Sequence, residues 1–235
     1  MKARKQISQR SKNNQFKIKV TENGPYIVSG GVPLAAQMVV LDAEGECLGW
    51  SEAKRYPEKE NYSLCRCGHS KSKPFCDNSH TKAGFDGTET ASRRSYLDQC
   101  RKYAGPTLDL TDARSLCAHA GFCDRAGGTW DLVAHSDDPE AKKTAIEESY
   151  ACPSGRLVVW KKEGKALEPV LERSIGLVQL PNGEFKGTIW VRGGIPIEAA
   201  NGETYEIRNR VTLCGCGKSL NKPFCDGSHR EKKPG

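Results

Sequence analysis

No apolar run in the 235 residues approaches the roughly 20 that a membrane-spanning helix needs, so a helical integral membrane protein is excluded. Behind the N-terminal stretch MKARKQISQR there is no apolar segment either, so no cleaved secretory signal is expected and the compartment expected is the cytoplasm. Aromatic side chains make up 7% of the chain, methionines number two and only 37% of residues are apolar. With 24 Gly and 12 Pro, that composition favours small, loop-rich units over one thick core. Also missing are a Gly-rich phosphate loop, a Gly-x-Ser-x-Gly elbow and a His-Glu-x-x-His helix. An enzyme is therefore not expected.

Acidic side chains are absent from the first 19 residues, where Lys2, Arg4, Lys5, Arg10, Lys12, Lys17 and Lys19 lie. These seven account for the whole net charge of +7, because the remainder holds 29 basic and 29 acidic residues. A basic tail can touch RNA or a membrane surface, but a neutral body behind it points to a solvated arm, with neither nucleic acid nor membrane as partner. A mitochondrial presequence would need more apolar residues to form one helical face.

Cysteine is what the chain has in quantity: 11 residues, which in a reducing compartment call for metal rather than disulfides. Their spacing occurs twice. Cys65-x-Cys67-x8-Cys76-x3-His80 returns as Cys214-x-Cys216-x8-Cys225-x3-His229, at an offset of 149 residues. Between the ligands, Gly68, Ser70, Lys73-Pro74-Phe75, Asp77 and Ser79 return as Gly217, Ser219, Lys222-Pro223-Phe224, Asp226 and Ser228. Upstream, residues 16–34 show an alternating strand, an Asn23-Gly24 turn, a second strand and a Gly-Gly-Val-Pro-Leu corner. Residues 174–197 repeat that order with Asn182-Gly183 and Gly-Gly-Ile-Pro-Ile. Each ligand loop is thus expected to hang from its own small sheet. The first copy carries about 14 more residues between corner and loop, somewhere in 35–60.

Three thiolates and an imidazole suit tetrahedral zinc, and they also suit a 2Fe-2S cluster, whose two irons need two pairs of ligands. Cys65 and Cys67 can reach one iron from an extended turn. If Pro74 starts a short helix, Cys76 and His80 project from one face of it towards the second. The single spacer between Cys65 and Cys67 is shorter than zinc knuckles usually have. Ser70 and Ser219 would donate to cluster sulfur or stand as solvated turn residues, and Asp77 and Asp226 would stabilise a first helical turn.

The pattern Cys-x-Cys-x2-Ser-x3-Pro-x-Cys-Asp-Gly-Ser-His resembles the motif of the CDGSH iron-sulfur family, the mitoNEET-like proteins. The second copy matches throughout, and the first departs at Asn78, a residue that tolerates positive φ. The resemblance implies a 2Fe-2S cluster held by Cys65, Cys67, Cys76 and His80, another held by Cys214, Cys216, Cys225 and His229, and a compact β-rich fold. Single-motif relatives pair as dimers, so the resemblance also implies a monomer with an internal pseudo-dimer.

Residues 89–160 fit neither copy. The stretch YAGPTLDLTDARSLCAHAGFCDRAGGTWDLV and the later ACPSGRLVV resemble the divergent single-cluster ferredoxin family, with Ala120 where a middle cysteine would stand. Cys117, Cys123 and Cys152 would suit a third cluster, either 3Fe-4S or 4Fe-4S with a fourth ligand such as His119. The expectation adopted is the alternative, a ferredoxin fold that has lost its cluster and kept three buried thiols. A helix is expected from Pro139 through Tyr150. Cys47 and Cys100 are expected to be buried structural thiols, and His69 and His135 unpaired surface residues.

Together these features predict a small β-rich, α+β chain: a basic tail (1–15), a first CDGSH unit (16–88), a ferredoxin-like α+β insertion (89–160) and a second CDGSH unit (161–235). Its expected role is electron transfer with redox partner proteins. Cluster storage or transfer to apo iron-sulfur acceptors, redox and pH sensing, and a zinc-stapled binding module are the alternatives.

Overall fold

The computed structural model describes residues 16–230. Lys2, Arg4, Lys5, Arg10 and Lys12 lie outside the described residues, while Lys17 and Lys19 both pair with Glu198. The elements are β1 (Lys17–Val20), β2 (Tyr26–Ser29), β3 (Leu34–Leu41), β4 (Cys47–Arg55), β5 (Asn61–Leu64), α1 (Ser79–Lys82), α2 (Tyr96–Gln99), β6 (Arg101–Ala104) and β7 (Leu108–Asp112). After them come α3 (Thr129–Ala134), α4 (Pro139–Ala151), β8 (Leu157–Lys161), β9 (Ala166–Leu167), β10 (Ser174–Gln179), β11 (Phe185–Arg192), β12 (Ile197–Glu198) and β13 (Arg210–Cys214).

The two copies exchange strands, which corrects the expectation of one sheet per copy. The first sheet runs β12-β1-β2-β5 and the second β13-β11-β10-β3-β4. Each corner sends its chain across to the other copy. Ile197 of β12 pairs in parallel with Ile18 of β1, and Leu34 of β3 with Ile175 of β10. At both corners two consecutive glycines take positive φ, Gly30 and Gly31 at 91° and 77°, Gly193 and Gly194 at 74° each. Side-chain-bearing residues rarely adopt that conformation, so the Gly-Gly pair is what lets the strand leave its own hairpin. The exchange produces one shared apolar core, with Ile18, Tyr26 and Leu64 packed in the same cluster as Ile175, Leu177, Ile189 and Leu213.

The extra residues of the first copy form the long β3–β4 hairpin, where the second copy has only β12 and a bridge from Glu198 to Thr204. That hairpin docks on the middle segment. Trp50 stacks on Phe122 at 4.8 Å and on Trp190 at 5.0 Å, and its Nε1 donates to the Ala151 carbonyl at 2.8 Å.

The middle segment has its own sheet, β6-β7-β8-β9, and its own core of Leu108, Leu110, Leu132, Val133, Ala145, Leu157 and Val159 under α3 and α4. Its last strand, Ala166–Leu167, lies beyond residue 160. Pro139 opens α4 behind an Asp138 cap that accepts from the Ala141 N–H at 2.8 Å. Arg210 of β13, 1% exposed, ties this segment to the second copy. Its guanidinium donates to the carbonyls of Cys152 (2.7 Å) and Tyr150 (3.2 Å), to that of Ser149, and to Glu168 (2.8 Å). Arg210→Ala strands these buried acceptors and should cost about 3–5 kcal/mol in denaturant unfolding; a loss below about 1 kcal/mol would show the contact to be dispensable.

Candidate metal centres

Both ligand loops are built the same way. β5 ends at Leu64 and β13 at Cys214, so the first ligand of each loop emerges at a strand end. The loop then folds back on the strand. The Cys65 N–H donates to the Pro74 carbonyl at 2.8 Å and the Cys76 N–H to the Ser63 carbonyl at 2.9 Å; Cys214 to Pro223 and Cys225 to Thr212 repeat this at 2.8 Å each. Eight intervening residues are what this closure spans, and it carries the third cysteine back beside the first.

Pro74 therefore does not start a helix, because its backbone is committed to that pairing. The first copy's helix begins at Ser79 and the second copy has only a turn. Ser70 is neither solvated nor turned to sulfur. Its Oγ donates to the Phe75 carbonyl at 2.6 Å and accepts from the Ser72 N–H, and Ser219 does the same with Phe224 and Asn221. Asp77 accepts from Ser79 N–H at 3.0 Å and Lys71 N–H at 2.8 Å, so it pins the loop as well as the helix start. Hydrogen bonds from Ser79 and Lys71 hold its carboxyl well below the usual carboxylate range. Asn78 has φ 65°, as its side chain permits.

The donors stand in pairs. In the first loop Cys65 Sγ is 3.8 Å from Cys67 Sγ, and Cys76 Sγ is 3.5 Å from His80 Nδ1. In the second, Cys214 and Cys216 are 3.6 Å apart and Cys225 Sγ is 3.4 Å from His229 Nδ1. Among the described residues no three His, Cys, Asp or Glu side chains converge on one ion position. Two sulfurs on one tetrahedral metal lie about 3.8 Å apart, given metal–sulfur bonds near 2.3 Å, so each pair is spaced for its own metal. Backbone N–H groups of His69 and Asn78 point at Cys67 and Cys76 sulfur, both at 3.4 Å, an arrangement that suits metal-bound thiolates. The donor set fits a two-metal cluster.

The loops meet back to back. Cys67 and Cys216 form an antiparallel bridge, and a Cβ on Gly68 would lie 2.3 Å from the Cys216 oxygen, with Gly217 and Cys67 reciprocal at 2.4 Å. Both glycines have φ 80°. Gly68→Ala should therefore destabilise the folded chain by about 1–3 kcal/mol from backbone strain alone, more with the clash, as read by thermal unfolding; an unchanged midpoint would contradict this contact.

Surroundings differ between the loops. Thr188, opposite Cys214 in the β11–β13 ladder, puts its Oγ1 3.8 Å from Cys225 Sγ and 3.4 Å from His229 Nδ1. Burial pushes the His229 imidazole down to about 4 and the Cys225 thiol up to about 12. The hydrogen bond with Cys216 pulls Cys214 down to about 6 and pushes Cys216 up. Metal entering this loop thus meets a neutral imidazole and displaces thiol protons.

Three of the middle segment's four cysteines, Cys117, Cys123 and Cys152, line one cavity of about 230 Å³ beside His119 and Arg156. They are half-buried rather than buried. Arg156, ion-paired with Asp112 at 2.6 Å, points its Nη1 at Cys117 Sγ from 3.2 Å, which places positive charge where a thiolate would stand. Burial, helped by Asp124, pushes the Cys123 thiol up to about 12. Cys47 and Cys100 are also half-buried, donating to the Ala120 and Leu97 carbonyls. His69 is exposed, and exposed His135 lies 3.5 Å from Asp131, so it is not unpaired.

Residues 23–81 and 186–230 match the family model described as iron-binding zinc finger CDGSH type, and residues 103–162 the one described as divergent 4Fe-4S mono-cluster. Searches of the curated proteins and of the solved structures gave no match. Two segments that match the CDGSH model thus flank one that matches the divergent iron-sulfur model, the arrangement the motifs indicated.

Proposed function

We propose that this iron-sulfur chain is an electron-transfer protein, not an enzyme, with a 2Fe-2S cluster on Cys65, Cys67, Cys76 and His80 and another on Cys214, Cys216, Cys225 and His229. The observation that carries the reading is the pairing of donors, Cys with Cys and Cys with His, repeated on either side of the Cys67–Cys216 bridge. Such clusters supply one-electron storage without bond rearrangement. His80 and His229 present Nδ1 to the site and replace a thiolate by a neutral ligand, which makes the site one charge less negative and raises its potential. The second ring nitrogen remains to take up a proton.

For Cys117, Cys123 and Cys152 we propose a third cluster, 3Fe-4S or 4Fe-4S, in place of the cluster-free segment expected from Ala120. Their convergence on one cavity, with the Arg156 guanidinium against Cys117, supports it. Redox partner proteins of the cytoplasm are the proposed exchange partners, and the shared core of the two copies supports a monomer. Among the described residues no helix is long and apolar enough to cross a membrane.

Reductive titration followed by electron paramagnetic resonance tests the assignment. Two signals from the outer clusters are expected to grow in on one-electron reduction, since oxidised 2Fe-2S clusters are diamagnetic, beside the separate signal of the middle cluster, present before reduction if it is 3Fe-4S and after it if it is 4Fe-4S. A colourless protein silent in both states would favour the zinc-stapled alternative. Light scattering should give the chain mass of 25.8 kDa, and twice that value would overturn the monomer.

A further inference from the structure

The one departure of the first ligand loop from the CDGSH motif, Asn78 where the second loop has Gly227, has a structural counterpart. A Cβ built on Gly227 would lie 2.0 Å from His119 Cδ2 and 2.9 Å from Nε2, so the His119 imidazole rests directly on the Gly227 backbone. The first loop is more open: Asn78 is exposed and Cys76 half-buried, whereas Gly227 and Cys225 are buried. His119 sits in the middle segment with φ 52°, a left-handed conformation uncommon for a side-chain-bearing residue, between Cys117 and Cys123. It lines two cavities, the one with Cys117, Cys123 and Cys152 and a second one shared with Thr188 and His229.

We infer that His119 is a seal through which the middle segment closes the second CDGSH site, leaving the first as the site that exchanges its metal with the surroundings. Because Cys117 and Cys123 flank His119 at two and four residues, ligation of both fixes the loop that carries the ring. Filling of the middle cavity therefore governs retention at the second site. The inference deepens the proposed function and rests on its reading of the two outer sites as metal-holding.

The test uses the full metal-loaded chain, challenged anaerobically with an iron chelator and an alkylating reagent, with labelling of each cysteine followed by peptide mass spectrometry. In the unaltered chain Cys76 is labelled well before Cys225. His119→Asn, which keeps a residue tolerant of positive φ, should speed Cys225 labelling about tenfold, the equivalent of losing roughly 1.4 kcal/mol of local closure, and leave Cys76 unchanged. His119→Gly, free of backbone strain, should do the same, so a folding defect of one variant does not decide the result. Cys123→Ser should also speed Cys225 labelling. Equal labelling of Cys76 and Cys225 in the unaltered chain, or an unchanged Cys225 rate in both His119 variants, would overturn the seal. An effect of the His119 variants without one of Cys123→Ser would keep the seal and overturn its control by the middle cavity. A loaded chain whose first loop gives up no iron to the chelator overturns the seal alone, whereas a chain isolated without iron or sulfide overturns the function on which it rests.

Discussion

Replacing Cys123 by Ser should remove three or four irons from a chain that, isolated without oxygen, carries roughly seven or eight, while the two outer sites keep theirs. The effect is large because the cavity has only three thiols to offer. Cys117, Cys123 and Cys152 line it, and Ala120 stands where a ferredoxin run would place another cysteine. Cys47 comes near that position, but its sulfur donates to the Ala120 carbonyl at 3.3 Å instead of lining the cavity. A serine hydroxyl is a far weaker ligand for iron than a thiolate. Iron and acid-labile sulfide analysis of the two proteins reads the result. Four irons in both would return the middle segment to the cluster-free expectation.

The second large effect concerns the histidines. His80→Cys and His229→Cys should each keep a cluster, lower its potential by on the order of a hundred millivolts, and slow its loss in mild acid. The magnitude follows from Rieske centres, in which two imidazoles in place of two thiolates raise the potential by several hundred millivolts. The acid effect follows from the proton. An imidazole leaves iron when it is protonated, and a cysteine ligand removes that route. At His229 burial opposes protonation in the folded chain, holding the ring down to about 4 against the usual value of about 6.5. Between those values the unfolded chain binds the proton that the folded one refuses. The His229 contribution is thus fully present above about pH 6.5 and is lost as pH falls towards 4. Potentiometry of both variants, with absorbance decay at pH 5 to 6, checks the pair. Unchanged potentials and decay rates in both would remove histidine from the ligand sets.

What the sequence made legible was local. The hairpin turns at Asn23 and Gly183, the positive φ of Asn78 and the start of α4 at Pro139 depend on a few neighbouring residues, and each is where the pattern placed it. The partner of a strand is not local. Nothing in the alternation of residues 34–41 says that Leu34 pairs with Ile175 and not within its own copy, since either arrangement buries the same face. Pro74 misled for a related reason, because a proline compatible with a helix start is equally compatible with the strand-like return that its carbonyl makes to Cys65. Convergence of Cys152 with Cys117 and Cys123 required the chain to run through α4 and back, which spacing cannot report. The signal for His119 was present but silent. Only the contact makes Gly227, beside Asn78, a position with a reason.

The most direct test of the account is the metal and sulfide inventory of each loop. Native mass spectrometry of the anaerobically isolated full chain, compared with variants lacking Cys67 or Cys216, should show two irons and two sulfides lost with each outer loop, as paired donors require. One zinc and no sulfide lost with each loop would contradict it, and would make the repeated motifs structural staples.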